Sequence, residues 1–246
     1  MSRLPSTREL FEMRFTALDQ TRVTSRQIAA IGKAALDVRD NAKSIADKAA
    51  SHPHFNDDGK RAATQKALFP HFVENEQARQ SLGDIRAKVE SDLTALALPA
   101  LDKTDLAAAL LDQEARSIVR GLPQDRRDNL DRLPPALAAA VVRVPAELSG
   151  VSPSVHKMLR DQLIEIAHPE KVAGARGDLE GIDVADLVVK EADASLRAAV
   201  QLAPHEINDF FKRVKTAAGV PKKVTESNPN DVDALVAAHR QRIGLA

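Results

Sequence analysis

Cysteine, tryptophan and tyrosine are all missing from the 246 residues. Without cysteine there are no disulfides, no thiolate nucleophile, no cysteine zinc site and no iron–sulfur cluster. The only aromatics are seven phenylalanines, which argues against sugar sites and stacked-base platforms built on aromatic rings. An excess of one charge is also absent. Lys+Arg is 35 and Asp+Glu is 35, so no global field draws in nucleic acid or an anionic membrane. No apolar run approaches the ~18 residues a transmembrane helix needs. The stretch Met1 to Phe15 carries charges throughout and has no apolar core, so no signal peptide is expected, and the localisation expected is virion or cytoplasmic.

What is abundant is alanine, 41 of 246 residues. Alanine has the best intrinsic helix propensity, and long β-branched runs are rare here. The expected fold is all-α. A long N-terminal helical hairpin occupies 1–98, a compact cluster of shorter helices 99–219, and a linker with a C-terminal docking helix 220–246.

The first helix starts at Ser6, where Ser6-Thr7-Arg8-Glu9 has the form of a capping box. The pattern breaks over Thr21–Ser25 and calls for a kink or a new helix, with Thr24 and Gln27 as a second box. From there Ile28, Ile31, Ala35, Val38, Ala42, Ile45 and Ala49 recur at alternating steps of three and four. That is a heptad seam, and its small alanines predict a close helix–helix interface. Polar residues 51–59 make a loop. Pro70 interrupts the next helical stretch, and Leu82, Ile85, Val89, Leu93 and Leu96 share one face after it. Two long helices joined by a loop read as an antiparallel pair.

Beyond Pro99 prolines become frequent. Helices are expected near 104–120, 124–132, 135–143 and 153–168. Thr104 is read as one cap, Gly121 and Pro123 as a stop, and Ser152-Pro153 as a second start. Gly174 to Gly181 reads as a turn leading to a helix near 183–202. Another helix runs from about Pro204 to Ala218. Val141 to Val144 is the best short strand candidate. In the C-terminal arm, Val232, Leu235, Val236, His239 and Ile243 form one apolar stripe, with Asn230 as cap and Gly244 as stop. About 13 residues are marginal as an isolated helix, so the arm is expected to order by docking, preferably on a neighbouring subunit.

No chemical constellation emerges. His52, His54, Asp57, Asp58 and His71 include metal-ligand types but lack a fixed spacing, and read as a polar turn. Ser154-Val155-His156-Lys157 matches S-x-x-K without its partner motifs. Glu90-Ser91 resembles the Glu-Ser pair of lytic transglycosylases, yet no Tyr or Trp is present to line a sugar groove. No catalytic, cofactor-binding or metal residues are assigned, no cofactor is expected, and the chain is expected not to be an enzyme. Lys212, Arg213, Lys215, Lys222 and Lys223 form the one basic cluster and could contact phosphate.

The run Leu133-Pro134-Pro135-Ala136-Leu137 through Val151-Ser152 resembles segments of poorly characterised, helical virion-associated proteins of proteobacterial phages and prophages. The resemblance spans residues 115–170, under a quarter of the chain, and brings no catalytic residues. It implies a helical virion or assembly component. The expected function is a non-enzymatic structural protein that packs with itself or other structural proteins, as a homo-oligomer. The alternative is a nucleic-acid-associated accessory protein using the basic cluster.

Overall fold

The computed structural model describes residues 5–51, 55–98, 104–130 and 133–219. The described residues form ten α-helices and no strand. In order they are α1 Thr7–Ala17, α2 Val23–Ala50, α3 Asp57–Thr94, α4 Leu106–Gly121 and α5 Gln124–Arg127. Then come α6 Pro135–Val142, α7 Ala146–Ser149, α8 Pro153–Ala167, α9 Pro169–Ala199 and α10 Ile207–Ala218. The all-α fold is as expected, with two long helices, α2 and α3, in its N-terminal part. The C-terminal arm lies outside the described residues.

Local chemistry sets several helix ends. Glu9 N–H donates to Ser6 Oγ at 3.3 Å, and Ser6 N–H donates back to Glu9 Oε2 at 2.6 Å. Each bond satisfies an orphan N–H of the first turn. Asp19 accepts from both the amide and the hydroxyl of Thr21, turning the chain so that α2 begins at Val23. The break is therefore a new helix, and Thr24 lies inside it rather than capping it. Asp105, not Thr104, caps α4 by accepting from Ala108 N–H. Ser152 caps α8 with Pro153 at the first helical position. Pro169 disfavours helical backbone at the residue before it; His168, at φ −136° and ψ 52°, ends α8, and α9 starts immediately.

Two expectations about helix continuity are corrected. Pro70 lies within α3, which runs unbroken for 38 residues. Proline removes one N–H bond, here the one to the Lys66 carbonyl, and Pro70 and Lys66 are both exposed residues. Gly174, Gly177 and Gly181 lie within α9, a continuous helix of 31 residues. Val141 and Val142 end α6 and form no strand. That helix is apolar nearly all round, and such helices are buried: Ala138, Ala140 and Val141 are all in the core, with α4 and α8 as packing neighbours.

The chain divides into two compact units. Unit 1 holds residues up to Leu36 and Ser81–Val189; unit 2 holds Asp37–Gln80 and the residues from Lys190 onward. The boundaries fall inside α2, α3 and α9 and so cut the chain differently from segments ending at 98 and 219. One core of unit 1 gathers Val119, Leu130, Val141, Val155, Leu159 and Leu163. The core of unit 2 gathers Ala42, Ala46, Leu68, Phe72, Leu196, Val200, Phe210 and Val214.

Candidate functional site

The heptad seam of α2 is the first place to look for an interface. None of its seven residues is exposed: Ile28, Ala35 and Ala42 are buried, and Ile31, Val38, Ile45 and Ala49 are half-buried. Ser25, Ala29, Gly32, Leu36 and Ala46 are buried as well. The buried stripe is therefore centred on the column of Ile28, Ala35 and Ala42. It is turned toward Gly32 and Ala46, away from Ile31, Val38 and Ile45. In unit 2 its occupants come from the same chain, since Ala42 and Ala46 pack in one cluster with Leu68, Phe72, Leu196 and Phe210. Small residues here let α2 approach its neighbours closely.

In unit 1 that approach depends on glycine. A Cβ placed on Gly32 would lie 2.1 Å from Cζ of Phe15, a ring with no exposed surface. On α9, a Cβ at Gly181 would meet Leu18 Cδ2 at 2.9 Å, and one at Gly174 would overlap the Arg22 guanidinium. Positions 174, 178 and 181 recur at steps of four and three, hence on one face of α9. Between the two glycines, Asp178 is 1% exposed. It accepts from Ser25 Oγ at 2.6 Å and from Arg22 Nη2 at 2.5 Å. A buried carboxylate needs such partners. The seven-residue spacing of Gly174 and Gly181 was available as a signal for this face; Asp178 was not, because Ser25 and Arg22 stand far away in sequence.

Two open grooves, of about 710 and 620 Å³, are lined by residues of this region, including Arg14, Asp19, Gly174 and Glu180. Two of their carboxylates are already engaged: Asp178 as described, and Asp183 with Arg86. Among the described residues no three His, Asp or Glu side chains are grouped to hold a metal.

Unit 2 assembles four of the seven phenylalanines. Phe69, Phe72, Phe210 and Phe211 meet edge to face at centroid distances of 5.3 to 5.7 Å, a favoured ring geometry. Arg197 stacks 4.0 Å above Phe211 while pairing with Asp193. Arg213 lies 5.9 Å from the Phe210 centroid. Lys212, Arg213 and Lys215 are exposed on α10; Lys222 and Lys223 lie outside the described residues, as do His52, His54 and the arm residues Val232, Leu235, Val236 and Ile243.

The remaining motifs are engaged elsewhere. Lys157 pairs with Asp161 at 2.5 Å and Ser154 Oγ meets Ser152 Oγ, so lysine is not poised to deprotonate the serine. Glu90 and Ser91 lie on an exposed face of α3. Asp57 and Asp58 begin α3, 3.9 Å from Lys60 and Arg61.

The feature that sequence reading missed is the outer face of α4. Its inner face is taken up by Ala115 and Val119, by Arg116 donating to Ala140 O, and by Asp112 paired with Arg143 at 2.8 Å. Outside, Leu106 is 76% exposed, Leu110 and Leu111 are each 66% exposed, and Ile118 is 55% exposed. Ala107 and Glu114 are exposed beside them. Helical spacing makes both faces visible in sequence, but only the packing tells which one turns inward. No protein-family model, no curated protein and no solved structure matches the chain.

Proposed function

We propose that this chain is a non-enzymatic structural protein that assembles through its helices, with itself or with other structural proteins. The observation that carries this reading is α4, packed on one side and lined on the other with four large, exposed aliphatic side chains. Clustered apolar surface of this kind marks interaction sites in soluble proteins. The polar groups support the same reading, since Asp178, Asp183 and Lys157 are held in ion pairs. Its sharpest form is a bacteriophage virion component of head, tail or ejection machinery, supported by the resemblance over residues 115–170. Light scattering on the purified full chain tests it. A defined oligomer is expected, and a monomer at all concentrations contradicts it.

The exposed cations of α10 favour a second reading, a nucleic-acid-associated accessory protein. DNA affinity that falls steeply with salt and is lost in a Lys212→Ala/Arg213→Ala/Lys215→Ala variant would support it.

A further inference from the structure

On α4, Ala107, Leu110, Leu111, Glu114 and Ile118 fall at i, i+3, i+4, i+7 and i+11. All five are exposed. They make an apolar stripe with one carboxylate inside it, and Glu114 has no ion-pair partner among the described residues. Within the C-terminal segment, Val232, Leu235, Val236, His239 and Ile243 fall at the same five spacings. There the polar position is filled by a histidine instead of a glutamate. Two amphipathic stripes of equal length and pattern can lie face to face. His239 can then donate to Glu114 and, when protonated, pair with it.

We propose that segment 231–243 of one chain docks on the outer face of α4 of a neighbouring chain. This rests on the assembly reading above and names its contact. A symmetric α4–α4 pairing fits less well, because it would bring two Glu114 carboxylates into the same apolar contact. The arm brings His239 to that place, with Arg240 and Arg242 close along the sequence. Docking between chains leaves each subunit with one arm given and one α4 face received. That is a head-to-tail contact, which closes into a ring or extends as a filament.

Full-length single variants test the pairing by sedimentation velocity. Leu110→Asp removes the face and Leu235→Asp removes the arm. Leu110 is exposed, so its variant keeps the parent's far-UV circular dichroism. Each variant alone is expected to sediment as a monomer. Their equimolar mixture still has one intact arm and one intact face, and is expected to form a heterodimer and nothing larger. Glu114→Arg and His239→Glu should each weaken assembly of the otherwise native chain, and the two together should restore it. If the mixture stays monomeric while Leu235→Asp lowers the melting temperature, the arm docks within its own chain and the proposal fails. If both variants assemble like the parent, the contact lies elsewhere and only the assembly reading survives. A parent chain that never associates overturns both.

Discussion

A methyl group at Gly32 would sit 2.1 Å from Cζ of Phe15 and within 2.6 Å of two further ring atoms. Phe15 has no exposed surface, so the ring can move only by displacing its neighbours. Gly32→Ala should therefore destabilise the protein by about 2–4 kcal/mol through overpacking, despite alanine's better helix propensity. Gly83 is the matched control. Nothing lies within 4 Å of its would-be Cβ, and Gly83→Ala should stabilise α3 by about 0.5–1 kcal/mol. Urea melts of the two variants, moving in opposite directions, check the pair. Ala42 obeys the same logic without glycine. It is fully buried among Leu68, Phe72, Leu196 and Phe210, and Ala42→Leu should cost about 1–3 kcal/mol; a variant that melts like its parent would mean that this face is open. At this scale, legibility follows sequence distance. The Ser6–Glu9 box and the Ser152 cap span three residues and were readable as written. The Asp178 group draws on Arg22 and Ser25, over 150 residues away, and no local pattern announces it.

At the scale of elements, residues that break isolated helices do not break these. Pro70 and the glycines of α9 are breakers by intrinsic propensity, yet tertiary packing holds the helices through them. Around Pro70 the anchors are Leu68 and Phe72, at 0% and 2% exposure. Along α9 the glycines admit Arg22 and Leu18. Pro70→Ala should restore the missing bond to the Lys66 carbonyl and raise stability by about 1–3 kcal/mol, read as a higher urea midpoint with unchanged slope. An unchanged midpoint would mean that water already satisfies that carbonyl at no cost. The helix ends also carry a pH dependence. Glu206 is held below the usual carboxylate range by the Ala203 N–H and by Gln65. Glu9 is held low by the backbone and hydroxyl of Ser6, and Glu165 by Arg176. A carboxylate with a lowered folded pKa contributes stability that is complete above its unfolded value of about 4.3 and lost as pH falls through the folded value. The melting temperature should accordingly drop as pH is lowered from 5 toward 3, on the order of the usual carboxylate titration range. Glu206→Gln should flatten that drop, and an equal slope in the variant would remove Glu206 from the account.

For the whole molecule, composition carried the fold class. Alanine-rich heptads and the lack of β-branched runs were enough for an all-α chain with two long helices in its N-terminal part. The division into compact units was hidden, because its boundaries run through α2, α3 and α9 where the sequence pattern is continuous. The outer face of α4 was hidden for a related reason. Leu106, Leu110, Leu111 and Ile118 look like core residues in a list of letters, and only the buried Ala115 and Val119 on the opposite side identify them as surface. The proposed function in assembly rests on this exposed stripe. The most direct test is sedimentation equilibrium of the full chain over a dilution series from roughly 100 μM to below 1 μM, the range in which small interfaces populate both states. The account predicts a weight-average mass that climbs above 26.6 kDa with concentration and returns to it in the Leu110→Asp variant. A mass fixed at 26.6 kDa across the series would contradict it.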